Sequence, residues 1–325
     1  MRAWEELTER GKFRRLRTLA GAALDSYELV PQRLSFVGGF TNAIYRVDAS
    51  EGTFALRIDY MQDHTDENAQ VELEWLAALE ADTDLDVCRV VPARDGRVAV
   101  HAAAPGVPGE RRCVLFEWIP GKPLDEALTP ERYHQLGVLS AQLHLHGARF
   151  EPSIRPMPWD KVFYWPEEFD PVVYDQPENL HHFSGNRMEV MDKALAIVND
   201  AFVKLDPAEA QVLHGDLHPW NVHIKGKRMI AFDFEDVMWG NRVQDIAITL
   251  FYERDQPGYA DLRSAFTEGY SAIASWPENY EGEIEHFMAA RTLMFVNFIL
   301  NIGSDVEEFY PAFFRRLEAF LDAWD

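Results

Sequence analysis

Residues 214–236 read HGDLHPWNVHIKGKRMIAFDFED, and no other segment restricts this chain so closely. Asp216 is followed five residues later by Asn221, and Asn221 twelve residues later by Asp233. An apolar, strand-like run at 229–232 leads into Asp233. A carboxylate, a carboxamide and a second carboxylate at these intervals form the set that phosphoryl transfer needs. One carboxylate stands near an attacking hydroxyl, and two oxygen ligands hold magnesium on nucleotide phosphates.

The rest of the chain agrees with an enzyme of ordinary size. It has 325 residues, of which 47% are hydrophobic, so two lobes with sizeable cores are expected and global disorder is not. The net charge of −23 argues against nucleic acid or an anionic membrane as partner, since both demand a basic surface. ATP remains compatible, because a few basic residues and magnesium neutralise phosphates locally. The two cysteines, Cys88 and Cys113, lie in apolar runs and are expected to be buried free thiols. No continuous apolar segment follows Met1, so no signal peptide is expected. The longest apolar stretches, such as 292–300, are too short to span a bilayer. A cytoplasmic protein is the expectation by elimination.

Periodicity divides the chain. Residues 3–24 carry Trp4, Leu7, Phe13, Leu16 and Leu19 among charges, which predicts an amphipathic leading helix. Runs at 33–37, 44–47 and 54–58, separated by Gly38-Gly39 and Glu51-Gly52, predict an antiparallel meander. A helix is predicted over 67–79, then strands around Val98 and over 113–119, with Pro120-Gly121 ending the latter. Further helices are predicted over 131–145, 188–205, 244–252, 262–273, 284–299 and 307–323. Residues 151–180 are crowded with proline and aromatic residues and predict an irregular excursion or short helical lid. The expected architecture is α+β: a β-rich lobe over 1–118 and a mainly helical lobe over 119–325.

Asp216 is the candidate base, which orients the acceptor hydroxyl and takes its proton late. Asn221 and Asp233 are the candidate magnesium ligands. His214 supports the loop backbone, while His218 and His223 read as local packing or solvent-facing residues. His144 and His146, two apart on a helix, point to different faces and make a poor zinc pair. Gly38 and Gly39 allow backbone amides near phosphates, or simply form a hairpin turn. Arg57, in the run FALRIDY, is the candidate phosphate-holding cation, and Glu72 on the next helix is its partner in preference to Glu74. The backbone around Glu117 and Trp118 fits a connector that hydrogen-bonds an adenine edge. Asp245 reads as a carboxylate tethering the catalytic loop, or as a helix N-terminal acid.

The spacing H-x-D-x-x-x-x-N also resembles the protein-kinase catalytic loop, with Asp233 at the second metal-binding Asp. HGDLHPWN, then AFDFED, then VQDIA, is similar to the aminoglycoside phosphotransferase and choline kinase-like family. FALRIDY, ELEWLAAL, FEWIPGKPL and QLHLHG support the same resemblance over most of the chain. It implies a bilobal protein-kinase-like fold and ATP, or GTP, with Mg2+ as cofactors. It implies Asp216 as base, Asn221 and Asp233 as metal ligands, and Arg57 with Glu72 in place of the usual Lys–Glu pair. Two departures stand out: Arg57 where many members have Lys, and Trp220 where a small residue precedes the Asn. The implied acceptor is the hydroxyl of a small molecule, such as an amino alcohol, sugar or aminoglycoside-like compound. A stress-response type protein Ser/Thr kinase and a nucleotide-binding module without turnover are the alternatives. Nothing in the sequence sets the oligomeric state.

Overall fold

The computed structural model describes residues 2–324. They group into two units. One runs to Lys122 and includes His223–Glu235, and the other holds Pro123–Val222 and the chain from Asp236 onward. The architecture is α+β, an antiparallel sheet unit and a mainly helical unit.

In the first unit, β1 (Pro31–Gly39), β2 (Asn42–Ala49), β3 (Thr53–Asp59), β4 (Val100–Ala102) and β5 (Arg111–Glu117) form one sheet in the order β1-β2-β3-β5-β4. All its pairings are antiparallel. Alternation decides which face is covered: Ala43, Tyr45 and Val47 of β2 are fully buried, as are Leu56 and Ile58 of β3. Leu16, Leu19, Ala20 and Ala23 of α1 (Glu9–Leu24) join them in one core. The leading helix starts later than its apolar pattern, because the Thr8 hydroxyl accepts from Gly11 N and caps the helix there. α2 (Asp66–Asp82) is likewise capped by Thr65, with Asp66 and Glu67 in its first turn.

Two local expectations are corrected. Gly38 and Gly39 do not form the turn between strands: they lie inside β1, opposite Ile44 and Ala43, after a register shift between Phe36 and Gly38. The strand expected around Val98 is displaced to Val100–Ala102, and Val98 is exposed. A turn takes those residues instead, with Ala93 N donating to Arg97 O and Arg97 N to the Asp95 carboxylate.

Segment 223–235 completes this unit. β6 (Lys122–Pro123), β8 (Val222–Lys225) and β9 (Arg228–Ala231) form a small sheet. Ala231 exchanges backbone bonds with Asp86 and Cys88, and Phe234 packs edge-on against Trp75 at 5.4 Å.

The second unit is built from α3 (Pro130–Gly147), α4 (Arg187–Lys204), α5 (Arg242–Phe251), α6 (Tyr259–Ser271), α7 (Glu283–Asn301) and α8 (Val306–Trp324). A two-stranded ladder pairs β7 (Gln211–Leu213) with β10 (Met238–Gly240). Residues 151–179 contain neither helix nor strand, yet they are not loose. Trp159, Val162 and Tyr164 are buried, and Trp159 and Met157 bond the backbone of Trp239. Asn297 of α7 bonds the backbone at Pro171, Val173 and Tyr174. Among the described residues no helix is long and apolar enough to cross a membrane.

Candidate active site

The segment carrying Asp216 leaves β7 at Leu213 and turns at Gly215. That residue has φ +81, and a Cβ there would lie 2.0 Å from the Asp236 carbonyl oxygen, so only glycine fits. The turn is tethered by Asp245 in the first turn of α5. Its Oδ1 accepts from Gly215 N at 2.9 Å, and its Oδ2 bonds His144 Nε2 at 2.9 Å. His144 Nδ1 in turn meets the Tyr270 hydroxyl at 2.9 Å. Burial pushes the Asp245 carboxyl up, but His144, His214 and Gly215 N outweigh it and hold it below its ordinary value. His146, two residues from His144, does not share this tether; its ring stacks on Phe150.

The tether fixes Asp216, whose side chain is 17% exposed. Its Oδ2 accepts from His218 Nε2 and Asn221 Nδ2, both at 3.1 Å. Its Oδ1 accepts from Arg291 Nη2 of α7 at 2.6 Å, while the Tyr252 hydroxyl stands 3.5 Å away. His218 Nδ1 accepts from Trp220 N, so the proton on Nε2 is the one facing Asp216. Burial alone would raise the Asp216 carboxyl; His218 and Arg291 overcome it and hold it well below the carboxylate range. The carboxylate is therefore ionised, with its weakest contact on Oδ1. A hydroxyl can dock at that place by displacing Tyr252.

Asn221 is also buried. Its Nδ2 donates to both the backbone oxygen and the side chain of Asp216, which turns the amide so that Oδ1 is left for another partner. A carboxamide oxygen in that orientation suits a hard cation.

The first unit holds a cavity of about 290 Å3. Val37, Gly38, Ile44, Ala55, Phe116, Glu117, Trp118, Ile119, Phe232, Arg57 and Asp233 line it. Arg57 makes two parallel bonds to Glu72, Nη1–Oε1 at 2.8 Å and Nη2–Oε2 at 2.5 Å, and stacks over Phe116 at 5.2 Å. Glu74 bonds Gln70 instead, and Asp59 bonds Arg112. Burial would lower the Arg57 guanidinium, but Glu72, with Glu235 and Asp233, raises it beyond its ordinary value. Asp233 has φ +65, a left-handed conformation that non-glycine residues adopt at a cost.

Gly39 lies apart from the cavity. A Cβ there would press on the Asn42 carbonyl and the Phe13 ring. The N–H groups of Glu117 and Trp118 are already bonded, to Arg89 O and Thr53 O.

Four residues were not visible as site residues in the sequence. His218, read as local packing or solvent-facing, is buried and a direct partner of Asp216; its place two residues after Asp216 was the available signal. Tyr252 and Arg291 reach Asp216 from helical segments with no motif around them. Glu235 lies 3.7 Å from Arg57 Nη1, accepts from Thr41 and Asn42, and its backbone oxygen accepts from Asn68. His223, also read as packing or solvent-facing, lies at the cavity wall against Phe232. Trp220 is half exposed and packs against His218 and Tyr252.

Comparison with known proteins gives a consistent picture. A family model described as a phosphotransferase enzyme family matches residues 33–281. An uncharacterised protein of Synechocystis sp. is 30% identical over 247 residues, 75% of this chain and 66% of that protein. Amicoumacin kinase of Bacillus subtilis is 24% identical over 327 residues, 94% of this chain and 93% of its own length. Among solved structures, a microcompartment-associated aminopropanol kinase matches with a TM-score of 0.74 at 23% identity, over 94% of this chain and 95% of that one. An amicoumacin kinase in complex with AMP-PNP and Ca2+ matches with a TM-score of 0.75 at 17% identity, over 95% and 93%. These two likenesses are of fold.

Proposed function

The chain belongs to the phosphotransferase enzyme family, and on that premise we propose that it moves the γ-phosphoryl group of ATP to a hydroxyl of a small molecule with the help of magnesium. The observation that carries the reading is the Asp216–Asn221 pair. The Asn221 amide N–H groups are spent on Asp216, which leaves a carboxylate for the acceptor proton and a carboxamide oxygen for a cation.

In this reading Asp216 receives the hydroxyl proton as the acceptor oxygen bonds to phosphorus and the phosphorus–oxygen bond to ADP breaks. Asn221 and Asp233 would hold the cation, which would supply charge neutralisation at the phosphates. Arg57, fixed by Glu72, holds the α- and β-phosphates, and the apolar walls of the cavity receive the base. Names of relatives, amicoumacin kinase and aminopropanol kinase, support a small acceptor such as an amino alcohol. The complex of one relative with AMP-PNP and Ca2+ supports nucleotide and divalent cation use. We assign the reaction to the cytoplasm, where the free buried thiols of Cys88 and Cys113 stay reduced.

Incubation with γ-labelled ATP and panels of amino alcohols, sugars and aminoglycosides tests the reading. Label on a small molecule is expected. Label on Ser or Thr of added protein would replace it with a protein kinase. Tight ATP binding without any label would leave only a binding module.

A further inference from the structure

We infer that Arg291 is the positioning residue for Asp216: it fixes the orientation of the carboxylate on which the proposed transfer depends. The inference rests on the reading of Asp216 as the base.

Two of the arginine–carboxylate pairs among the described residues differ in kind. Arg57 and Glu72 meet through two parallel bonds, the geometry that satisfies a guanidinium best. Arg291 meets Asp216 through one nitrogen only. Its Nη2 is shared between Asp216 Oδ1 at 2.6 Å and the Tyr252 hydroxyl at 3.0 Å. Its Nε is shut from solvent with no hydrogen-bond partner among the described residues, although the residue is only 5% exposed. A fold that had only to neutralise a buried arginine would offer its Nε an acceptor as well. This one leaves Nε unpaired and aims a single Nη at one oxygen of one carboxylate.

The guanidinium is itself immobilised, over Phe295 at 5.1 Å and Tyr252 at 5.9 Å. His218 and Asn221 hold the other carboxylate oxygen. Rotation of the carboxylate about its Cβ–Cγ bond is therefore opposed from both sides, and on the Oδ1 side chiefly by Arg291 at 2.6 Å, since the Tyr252 hydroxyl stands at 3.5 Å. Without Arg291 the strong bonds are left on the Oδ2 side only, and the carboxylate can swing about them.

The test uses Arg291→Ala and Arg291→Lys in the full chain, with magnesium-ATP alone and water as phosphoryl acceptor. Arg291→Ala should lower kcat roughly ten- to a hundredfold, the scale of a misplaced reacting group, with KM for ATP unchanged. Non-denaturing guanidinium chloride should restore part of that turnover to Arg291→Ala and none to Asp216→Asn. Arg291→Lys, which keeps the charge, should lie between. A crystal structure of either variant decides the matter even where hydrolysis is too slow to follow. The Asp216 carboxylate should be rotated or split between orientations in Arg291→Ala. A single unchanged orientation, or wild-type turnover, would overturn the inference. If the carboxylate turns but Asp216→Asn keeps full activity, the positioning stands and the base assignment falls instead.

Discussion

Asp216 gains its properties from donors rather than from solvent. A carboxylate held below its usual range by His218 and Arg291 is ionised whenever the protein is folded near neutrality. Asp216→Asn should therefore lower turnover about 10²–10⁴-fold, the range for losing a general base, with ATP affinity nearly unchanged. Isothermal titration with a nonhydrolysable nucleotide beside steady-state kinetics separates the two, and undiminished turnover would refute the assignment. Arg57 offers a contrasting case. Arg57→Ala should raise KM for ATP and lower turnover, and Arg57→Lys should fall between, because Lys keeps the charge but loses the parallel bonds to Glu72. Equal kinetics for Lys and Arg at this position would remove the bidentate argument. The Arg57–Glu72 pair was legible because a strand residue and the helix after it are local in sequence. Arg291 was not legible, because 75 residues separate it from Asp216 and nothing near it in sequence marks it.

The expected helices are present with shifted ends, while several short strands and most tertiary contacts escaped. α7 shows why. It is buried almost throughout, so its sequence carries no polar face to orient it. Yet one residue of it, Asn297, uses its whole carboxamide on residues 170–174. The oxygen takes Val173 N at 2.8 Å and Tyr174 N at 3.2 Å, and the nitrogen gives to Pro171 O and the Asp170 carboxylate. Asn301, one turn on, reaches the same carboxylate oxygen of Asp170. The irregular segment is thus held in place by a helix more than a hundred residues later, which no local pattern announces.

Asn297→Ala should cost about 3 kcal/mol, since it strands several buried groups at about 1–3 kcal/mol each. Urea unfolding measures that loss, and faster amide exchange at Val173 and Tyr174 should accompany it. Slow exchange there in the variant would show that the strap is held otherwise.

Asp170 adds a pH dependence to this element. Burial pushes its carboxyl up to about 6, against the hydrogen bonds from Asn301 and Asn297. The folded state then binds this proton more tightly than the unfolded chain does. The stability it contributes is full below the unfolded value and is lost as pH rises from about 4 to 6. Relative to Asp170→Asn, the wild type should gain up to about 1–2 kcal/mol on going from pH 7 to 4, after allowance for solvent screening. A flat difference across that window would contradict the assignment.

At the level of the whole molecule, the chain passes between its two units three times, at 122/123, 222/223 and 235/236. Fragment 1–122 consequently lacks β9, whose Ala231 bonds Asp86 and Cys88, and Phe234, which covers Trp75. It should not fold cooperatively alone. A chain of 1–122 joined by a flexible linker to 223–235 should recover a cooperative transition by circular dichroism. A well-folded 1–122 would show that the added segment is dispensable. The α+β class was legible from the early strand runs and later helices. The return of thirteen residues to the first unit was not, because β8 and β9 are short and sit within a helical stretch. That return has a consequence for synthesis. One hundred residues, 123–222, leave the ribosome between the bulk of the first unit and the segment that completes it. At translation rates of about 5–20 residues per second the delay is roughly 5–20 s. For that long the nascent sheet unit presents Trp75 and the backbone edge at Asp86 and Cys88 uncovered, so this chain should engage chaperones during translation and release them only once residue 235 has emerged.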